Sequence, residues 1–304
     1  MSSIAYAADE KMLAYHRLCG NRNVNFWRLS DKAAFKNFRP GDLLFFYARM
    51  QGMRRKGLVG YAHFASASLL SLTQMWKAYG TRNGYDNMEQ LQQAIEKASR
   101  DHRLPSKMMC LYLKEVIFFQ SAVYPKDVGI TIHEKLESYT YLDQEDADVT
   151  LRILAKAEKI GVDRWVMATE KRDEEIFRKD AVQYQMANLA QKIPPLLLSA
   201  SEKKRAERLM KRTFEKQACW KAVESDGFEW YLLDTEKNCL TIAVPLLYSR
   251  RNYAQQLQST LGRLLLFKLS LEKETSFAST VHFQIVEEKP LSDTAALMQK
   301  FNTL

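Results

Sequence analysis

The sequence contains no apolar run that approaches the roughly 18 residues a membrane-spanning helix needs. Residues 1–10 carry neither the basic start nor the apolar core of a secretory signal. We therefore expect a cytoplasmic protein that makes no contact with a membrane.

Metal-binding and phosphate-binding signatures are also missing. The four cysteines form no C-x-x-C pair, and the five histidines show no spacing suited to holding a metal that activates water. A Walker-type loop and a glycine-rich dinucleotide fingerprint are absent. We expect reduced cysteines, no metal and no cofactor. The cysteines are Cys19, Cys110, Cys219 and Cys239.

Positive charge is the clearest feature of the composition. Forty-five lysines and arginines face 36 acidic residues, which gives a net charge of +9. Excess positive charge attracts phosphate backbones without regard to sequence. The same charge also occurs on basic surfaces that have no nucleic-acid partner, so composition leaves both interpretations open.

Three regions of different texture predict an α+β protein. Residues 1–145 alternate short strands and helices, including a predicted hairpin of residues 43–47 and 57–66 joined by a basic loop. Residues 146–198 have the spacing of two helices and are interpreted as a helical linker. Residues 199–304 follow the order helix, hairpin, helix, strand, helix, which indicates an α/β domain.

Aromatic and amide side chains are concentrated in the first region. A base taken out of a duplex needs flat walls and hydrogen-bond partners for its Watson–Crick edge. The aromatics together with Asn23 and Asn25 could supply both. Most aromatic residues of a small β domain are core residues, however, so this pattern alone favours packing.

The order of several short motifs changes that balance. Residues 23–27 (NVNFW), 38–47 (FRPGDLLFFY), 57–60 (GLVG) and 72–80 (LTQMWKAYG), followed by Asn83 and Gly84, resemble a PUA-like domain of the EVE/ASCH type. The match spans about residues 13–143 and is closest to the version found in front of HNH nucleases in bacterial restriction proteins.

This resemblance implies a small β-barrel with helices that reads a nucleobase, often a modified cytosine in DNA. By position it makes Trp27, Tyr47 and Trp76 candidates for the pocket, with Asn23 and Asn25 as polar readers. Gly41 and Asp42 more naturally shape a turn. One of Phe45 and Phe46 must point inward, because successive strand residues face opposite sides.

Clusters of cations are candidates for phosphate contacts, since such contacts position a protein without reading bases. The predicted hairpin tip carries four of them, and others lie near a helix start and on a basic helix of the last region. The alternative is a set of solvated charges. The candidates are Arg49, Arg54, Arg55, Lys56, Arg82, Lys203, Lys204, Arg250 and Arg251.

The last region weakly resembles the core of PD-(D/E)XK nucleases through residues 240–245, 253–267 and 281–290. That family holds Mg²⁺ with an Asp and a Glu and carries E-x-K on a strand before a helix. Here Ala243, Val244 and Pro245 stand at that place, and a formal E-x-K at residues 287–289 comes after the last strand. The resemblance therefore implies a degenerate nuclease fold, and an unrelated α/β domain is the competing interpretation.

Together these patterns favour a DNA-binding protein that recognises a modified base in double-stranded DNA, in restriction or antiphage defence, without catalysis of its own. It would act as a homodimer or with a nuclease on a separate chain. An alternative is a modification-dependent Mg²⁺ endonuclease that uses Asp234 with Glu224, Glu229 or Glu236. Another is an RNA-binding PUA-like protein.

Overall fold

The computed structural model describes residues 1–29, 35, 38–50, 52–165, 175–223, 228–248, 252–274, 280–290 and 292–303. The chain forms two compact units, Met1–Phe177 and Arg178–Leu304. The segment predicted as a helical linker is thus divided between them. Its first helix belongs to the first unit and most of its second helix to the other.

The first unit is built on a six-stranded sheet with the order β2-β5-β4-β3-β1-β6. Among the described residues, four complete α-helices accompany the sheet before the boundary. The elements are β1 (Ser3–Ala7), α1 (Glu10–Leu18), β2 (Val24–Arg28), β3 (Leu43–Arg49), β4 (Lys56–Leu70), α2 (Leu72–Tyr79), α3 (Met88–Ala98), β5 (Met108–Val123), β6 (Tyr139–Tyr141) and α4 (Asp148–Ile160).

The predicted hairpin is confirmed, because β3 pairs antiparallel with β4 from the Leu43–His63 pair to the Arg49–Lys56 pair. Gly161, which follows a run of residues with helical spacing, also predicts a helix stop from the sequence. The structure confirms this stop, because Gly161 has a φ of 87° and its amide donates to the carbonyl of Ala157. A positive φ directly after the last turn ends the helix, and glycine adopts it without a steric penalty.

The sheet curls but does not close into the predicted barrel. Within the described residues no backbone pairing joins the edge strands β2 and β6. Their side chains do approach each other, since the Arg28 guanidinium lies 5.9 Å from the centroid of the Tyr139 ring. The architecture is therefore an open, curled sheet. Its concave face is filled by a cluster that includes Phe26, Phe46 and Phe118.

Both faces of the central strands are covered. Phe46 packs in the concave cluster, while Phe45 packs against Tyr61 on the opposite face, and neither phenylalanine is exposed. Tyr61 in turn contacts Phe119 and Phe177. The expectation that one of the two phenylalanines points inward is confirmed, and the other is buried on the opposite face of the sheet. A strand that is buried on both faces reads as a continuous apolar run.

The second unit contains a four-stranded sheet with the order β10-β9-β8-β7. Strands β7, β8 and β9 are antiparallel neighbours, and β10 pairs parallel with β9 after a helical crossover. The elements are α5 (Ile176–Lys192), α6 (Ala200–Phe214), β7 (Trp220–Ala222), β8 (Trp230–Asp234), β9 (Cys239–Leu246), α7 (Tyr253–Glu274), β10 (Thr280–Glu287) and α8 (Ser292–Thr303). The predicted order of helix, hairpin, helix, strand and helix is present, and the structure adds the short strand β7 before the hairpin.

Across the described part of the chain, every helix is too short or too polar to serve as a membrane-spanning segment.

Candidate nucleic-acid interface

The structure separates the five residues predicted to bind a base into two places. Asn25 and Trp27 lie on β2 and Trp76 lies on α2, around a small cluster of helices. Tyr47 lies on β3 and lines a surface cleft near the tip of the hairpin. Asn23 precedes β2 and is half-buried. Their roles in base binding stay predictions, but their surroundings differ sharply.

Asn25 is fully buried in a network of amides. Its Nδ2 donates to Oδ1 of Asn83 at 2.7 Å, and Asn83 donates in turn to the carbonyl of Gly80 at 2.7 Å. These bonds tie β2 to the short 3-10 turn Gly80–Asn83 that follows α2. The resemblance motif that ends in Asn83 and Gly84 thus has a structural role here.

The two tryptophans pack beside a second apolar cluster that holds α2 and α3 against the start of β5. Trp27 and Trp76 are both half-buried there, next to Met75 and Met108. The indole Nε1 of Trp27 is buried and has no hydrogen-bond partner among the described residues. A buried donor without a partner is costly. A hydrogen-bond acceptor bound at this atom would remove that cost.

A buried histidine that the sequence did not single out lies close to this turn. His16 is fully buried, and its Nδ1 lies 3.1 Å from Nδ2 of Asn21. Its Nε2 has no hydrogen-bond partner among the described residues and points toward Gly84. Burial lowers the pKa of His16 from 6.5 to about 4, so the imidazole is neutral at physiological pH.

The cleft has a volume of about 700 Å³, within the range usual for small-ligand sites. Its apolar walls come from the rings of Tyr47 and Tyr124 and from Pro125, Ile130 and Ile132. Four cations and a histidine stand around these walls, with two carboxylates among them. The charged and titratable lining residues are Arg55, Lys56, Lys126, Asp127, His133, Glu134 and Lys135.

Long-range strand pairing brings the two sides of the cleft together. Leu58 near the start of β4 pairs with Val123 at the end of β5, so Tyr124 follows directly beside the basic hairpin. A Cβ added at Gly57 would lie 2.9 Å from the Cβ of Ala122 and 3.3 Å from Tyr124 Cδ1. Only a residue without a side chain fits this approach, which explains the glycine at the cleft.

Tyr47 lies at the floor of the cleft with 2% of its surface exposed. The Lys56 ammonium is 5.8 Å from the centroid of its ring, a distance at which a cation is attracted to the π face. Burial and, second, the charge of Glu134 raise the pKa of Tyr47, while Arg49 lowers it. The phenol therefore stays protonated and can act as a hydrogen-bond donor.

The hairpin tip is cationic, but one of its arginines has structural partners. Arg49 donates from Nε to the carbonyl of Arg54 at 3.0 Å and lies 3.6 Å from Glu10. Arg54 and Arg55 are exposed, and Lys56 is half-buried. The last three are thus the members of the predicted set that can face a ligand near the cleft.

The remaining predicted phosphate contacts lie elsewhere. Arg82 donates to the carbonyls of Tyr79 at 3.3 Å and Ala78 at 3.5 Å, and so caps the end of α2. Lys203 and Lys204 are exposed on α6. Arg250 and Arg251 fall outside the described residues.

Carboxylates proposed for an endonuclease site do not gather in the described part of the chain, where no group of three possible metal ligands occurs. Glu229 is buried in an ion pair with Arg263 of α7. Asp234 accepts from the backbone of Lys237 at the end of β8. Glu288 of the formal E-x-K is paired with Arg205. Glu224 lies outside the described residues, and Ala243–Pro245 lie on β9 with little exposure.

No protein-family model and no curated protein matches the sequence. Among solved structures, an ASCH protein from Zymomonas mobilis covers 49% of this chain and 94% of its own, at 14% identity and a TM-score of 0.36. A hypothetical protein from Leishmania major covers 52% and 96%, at 15% identity and 0.31. The structural neighbours thus include ASCH proteins, over about half the chain at low identity.

Sequence reasoning missed one side of the cleft. Tyr124, Lys126 and Lys135 belong to a stretch with no motif of its own. A local signal was present, because the consecutive residues Pro125, Lys126 and Asp127 directly after a long apolar run are typical of a turn. The turn forms one side of the cleft only because β5 pairs with β4.

Proposed function

We propose that this protein binds nucleic acid through its first unit, and that one base enters the cleft beside Tyr47 and Tyr124. The cleft carries this proposal, because it combines flat apolar walls with four cations on one concave surface. A base needs the first of these features and its phosphate the second. The net charge of +9 adds a general attraction for the backbone.

The half-buried ring of Tyr124 is the surface best placed for stacking, because the Tyr47 ring is almost fully covered. Lys56 and Arg55 stand on the hairpin side of the cleft, with Lys126 and Lys135 on the other. The Tyr47 hydroxyl would donate to an acceptor on the base edge. His133 is held by the backbone amide of Lys135, which donates to its Nδ1 at 3.1 Å.

The finer identity of the ligand follows from resemblance alone. The motifs shared with PUA-like domains of restriction proteins support a modified cytosine in double-stranded DNA and a role in restriction or antiphage defence. Trp27, with its unpartnered indole N–H, is the competing pocket residue on the same unit. The cleft and the surroundings of Trp27 are formed by different elements, so substitutions in one can be distinguished from substitutions in the other.

The test is binding to matched duplexes that contain cytosine, 5-methylcytosine, 5-hydroxymethylcytosine or glucosylated cytosine, with Mg²⁺ present and cleavage checked in the same samples. The cleft variant is Lys56→Gln with Lys135→Gln. Its matched control is Lys97→Gln with Lys107→Gln, which removes the same charge from exposed positions outside the cleft. Tyr124→Ala removes the stacking surface.

We expect one modified duplex to be preferred and Tyr124→Ala to weaken its binding by about 5-fold to 150-fold, the usual range for one stacked base. The double lysine variant should lose affinity and the control should not. Trp27→Ala should leave the preference intact. Loss of preference in Trp27→Ala alone, with the fold intact, would move the site to the tryptophan cluster.

Equal binding to all four duplexes would contradict base reading. Tighter binding to a matched RNA that depends on its 2′-hydroxyls would favour the RNA-binding alternative. Mg²⁺-dependent cleavage in any sample would establish the endonuclease alternative.

A further inference from the structure

We propose that the solvent face of α6 is a second nucleic-acid surface, which binds the phosphate backbone without reading bases. The surface consists of Lys204, Arg208 and Arg212 in the helix and Lys216 in the turn that follows it, here called the basic stripe. All four residues are exposed. The inference rests on the proposed binding of nucleic acid but not on the base cleft, which lies in the other unit.

The fold fixes the direction in which this stripe points. Helix α6 begins with a capping box in which Ser199 and Glu202 exchange hydrogen bonds. Its apolar side packs against the sheet of the second unit through Ala206, Leu209, Met210 and Phe214. Lys204, Arg208 and Arg212 recur every four positions along the solvent side, each rotated by about 40° from the one before, and Lys216 follows in the turn.

The spacing suits an extended polyanion. Four helical residues advance about 6 Å, so Lys204 and Lys216 are separated by about 18 Å along the axis if the turn continues the rise. One strand of B-DNA presents a phosphate every 3.4 Å along its axis, or roughly five over that length. A single small anion would engage one or two of these cations and leave the others idle.

Neighbouring cations on the same helix form ion pairs at contact distance, whereas the stripe residues do not, although the charge of Arg212 helps to lower the pKa of Glu288. Arg205 pairs with Glu288 and also donates to the carbonyl of Tyr248 at 3.1 Å. Lys211 pairs with Glu207 at 2.9 Å. In the part of the chain that the structure describes, the stripe residues form no ion pair with a carboxylate. Arg208 uses only its Nε, toward the carbonyl of Lys204.

The chemistry of the stripe favours a nucleic-acid backbone over a lipid surface. A helix that lies in a membrane interface buries an apolar face in the acyl region beside its cations. Here the apolar side of α6 is already buried against the sheet. The helix therefore cannot insert an apolar face into a membrane. The remaining attraction is between the cations of the stripe and a row of phosphates.

The test uses the full-length chain and removes two central charges, in Arg208→Gln with Arg212→Gln. The matched control is Lys192→Gln with Lys300→Gln, which removes two exposed charges of the same unit at other elements. Affinity for an unmodified 30-base-pair duplex is measured between about 50 and 200 mM salt, the range in which phosphate contacts dominate. Arg208→Lys with Arg212→Lys keeps the charge.

We expect the slope of log affinity against log salt to fall by about 2 in the glutamine variant, since each lost phosphate contact removes about 0.9. Affinity at the lowest salt should fall about tenfold or more, by the same factor for all four cytosine duplexes. The control and the lysine variant should keep the original slope.

Equal slopes for the glutamine variant and its control would overturn the proposal. Loss of binding to vesicles of anionic lipid, with duplex binding unchanged, would overturn it in favour of a membrane. The two proposals fail separately. A stripe effect without any preference among duplexes would reject base reading and keep the stripe, and the reverse pattern would reject the stripe alone.

Discussion

At the scale of single residues, His16 makes the stability of the first unit depend on pH. Its pKa in the folded protein is about 4, against 6.5 when exposed, because burial disfavours the charged form. Between these two values the unfolded chain takes up a proton and the folded chain does not. The contribution of His16 is therefore fully present above pH 6.5 and is lost as the pH falls toward 4.

We expect the free energy of unfolding to drop by about 2 kcal/mol from this residue between pH 7.5 and pH 5. Chemical denaturation at the two pH values measures the drop, and the His16→Gln variant should lack that share of it. His282→Gln, at an exposed position of β10, is the control that should behave as the parent chain does. An imidazole signal of His16 that titrates near 6.5 would contradict the argument.

At the scale of elements, the antiparallel pairing of β4 with β5 depends on Gly60, which lies opposite Phe118. A Cβ at this position would overlap the carbonyl oxygen of Ile117 and lie 3.1 Å from Phe118 Cα, and both neighbours are backbone atoms that cannot turn aside. Overpacking of this kind typically costs about 1–3 kcal/mol. We expect Gly60→Ala to destabilise the first unit by at least that much, as seen by chemical denaturation.

Gly262→Ala is the contrasting variant. Gly262 lies within α7, and a Cβ there would meet nothing within 4 Å. Alanine favours a helix over glycine by up to about 1 kcal/mol, so this variant should be neutral or more stable. Similar destabilisation by both substitutions would show that close backbone approach is not what requires Gly60.

Elements were largely predictable from the sequence because their signals are local. The hairpin followed from residues 40–42 and two apolar runs, and Gly161 marked the end of α4. The cleft was not predictable, because it depends on the pairing of Leu58 with Val123, sixty-five positions apart along the chain. The open edge between β2 and β6 is likewise a property of the whole sheet.

At the candidate site, residue type alone could not separate pocket from core. Trp27 and Tyr47 are each the last residue of one of the resemblance motifs. Tyr47 lines the cleft, whereas Trp27 packs beside α2 and α3. Asn25 is predicted to read a base on chemical grounds, and in the folded chain its Nδ2 donates to Asn83. Which face of a strand is covered is decided by elements far away in sequence.

At the scale of the whole molecule, the two proposed nucleic-acid surfaces lie in different units, the cleft in Met1–Phe177 and the basic stripe in Arg178–Leu304. One flexible or rigid ligand that reaches both would bind more tightly than either surface alone allows. The second contact is then intramolecular, and its strength depends on an effective concentration and not on new interactions.

This arrangement predicts a dependence on ligand length. An oligonucleotide of about five nucleotides, roughly 17 Å at the B-form rise, is the short end of a length series. Its affinity for the cleft should be equal in the parent chain and in the Arg208→Gln, Arg212→Gln variant. A 30-base-pair duplex should separate the two proteins by about tenfold if one duplex engages both surfaces. Titrations over a series of lengths locate the step, and a loss of affinity that is the same at every length would mean that the stripe acts through the cleft or through general charge.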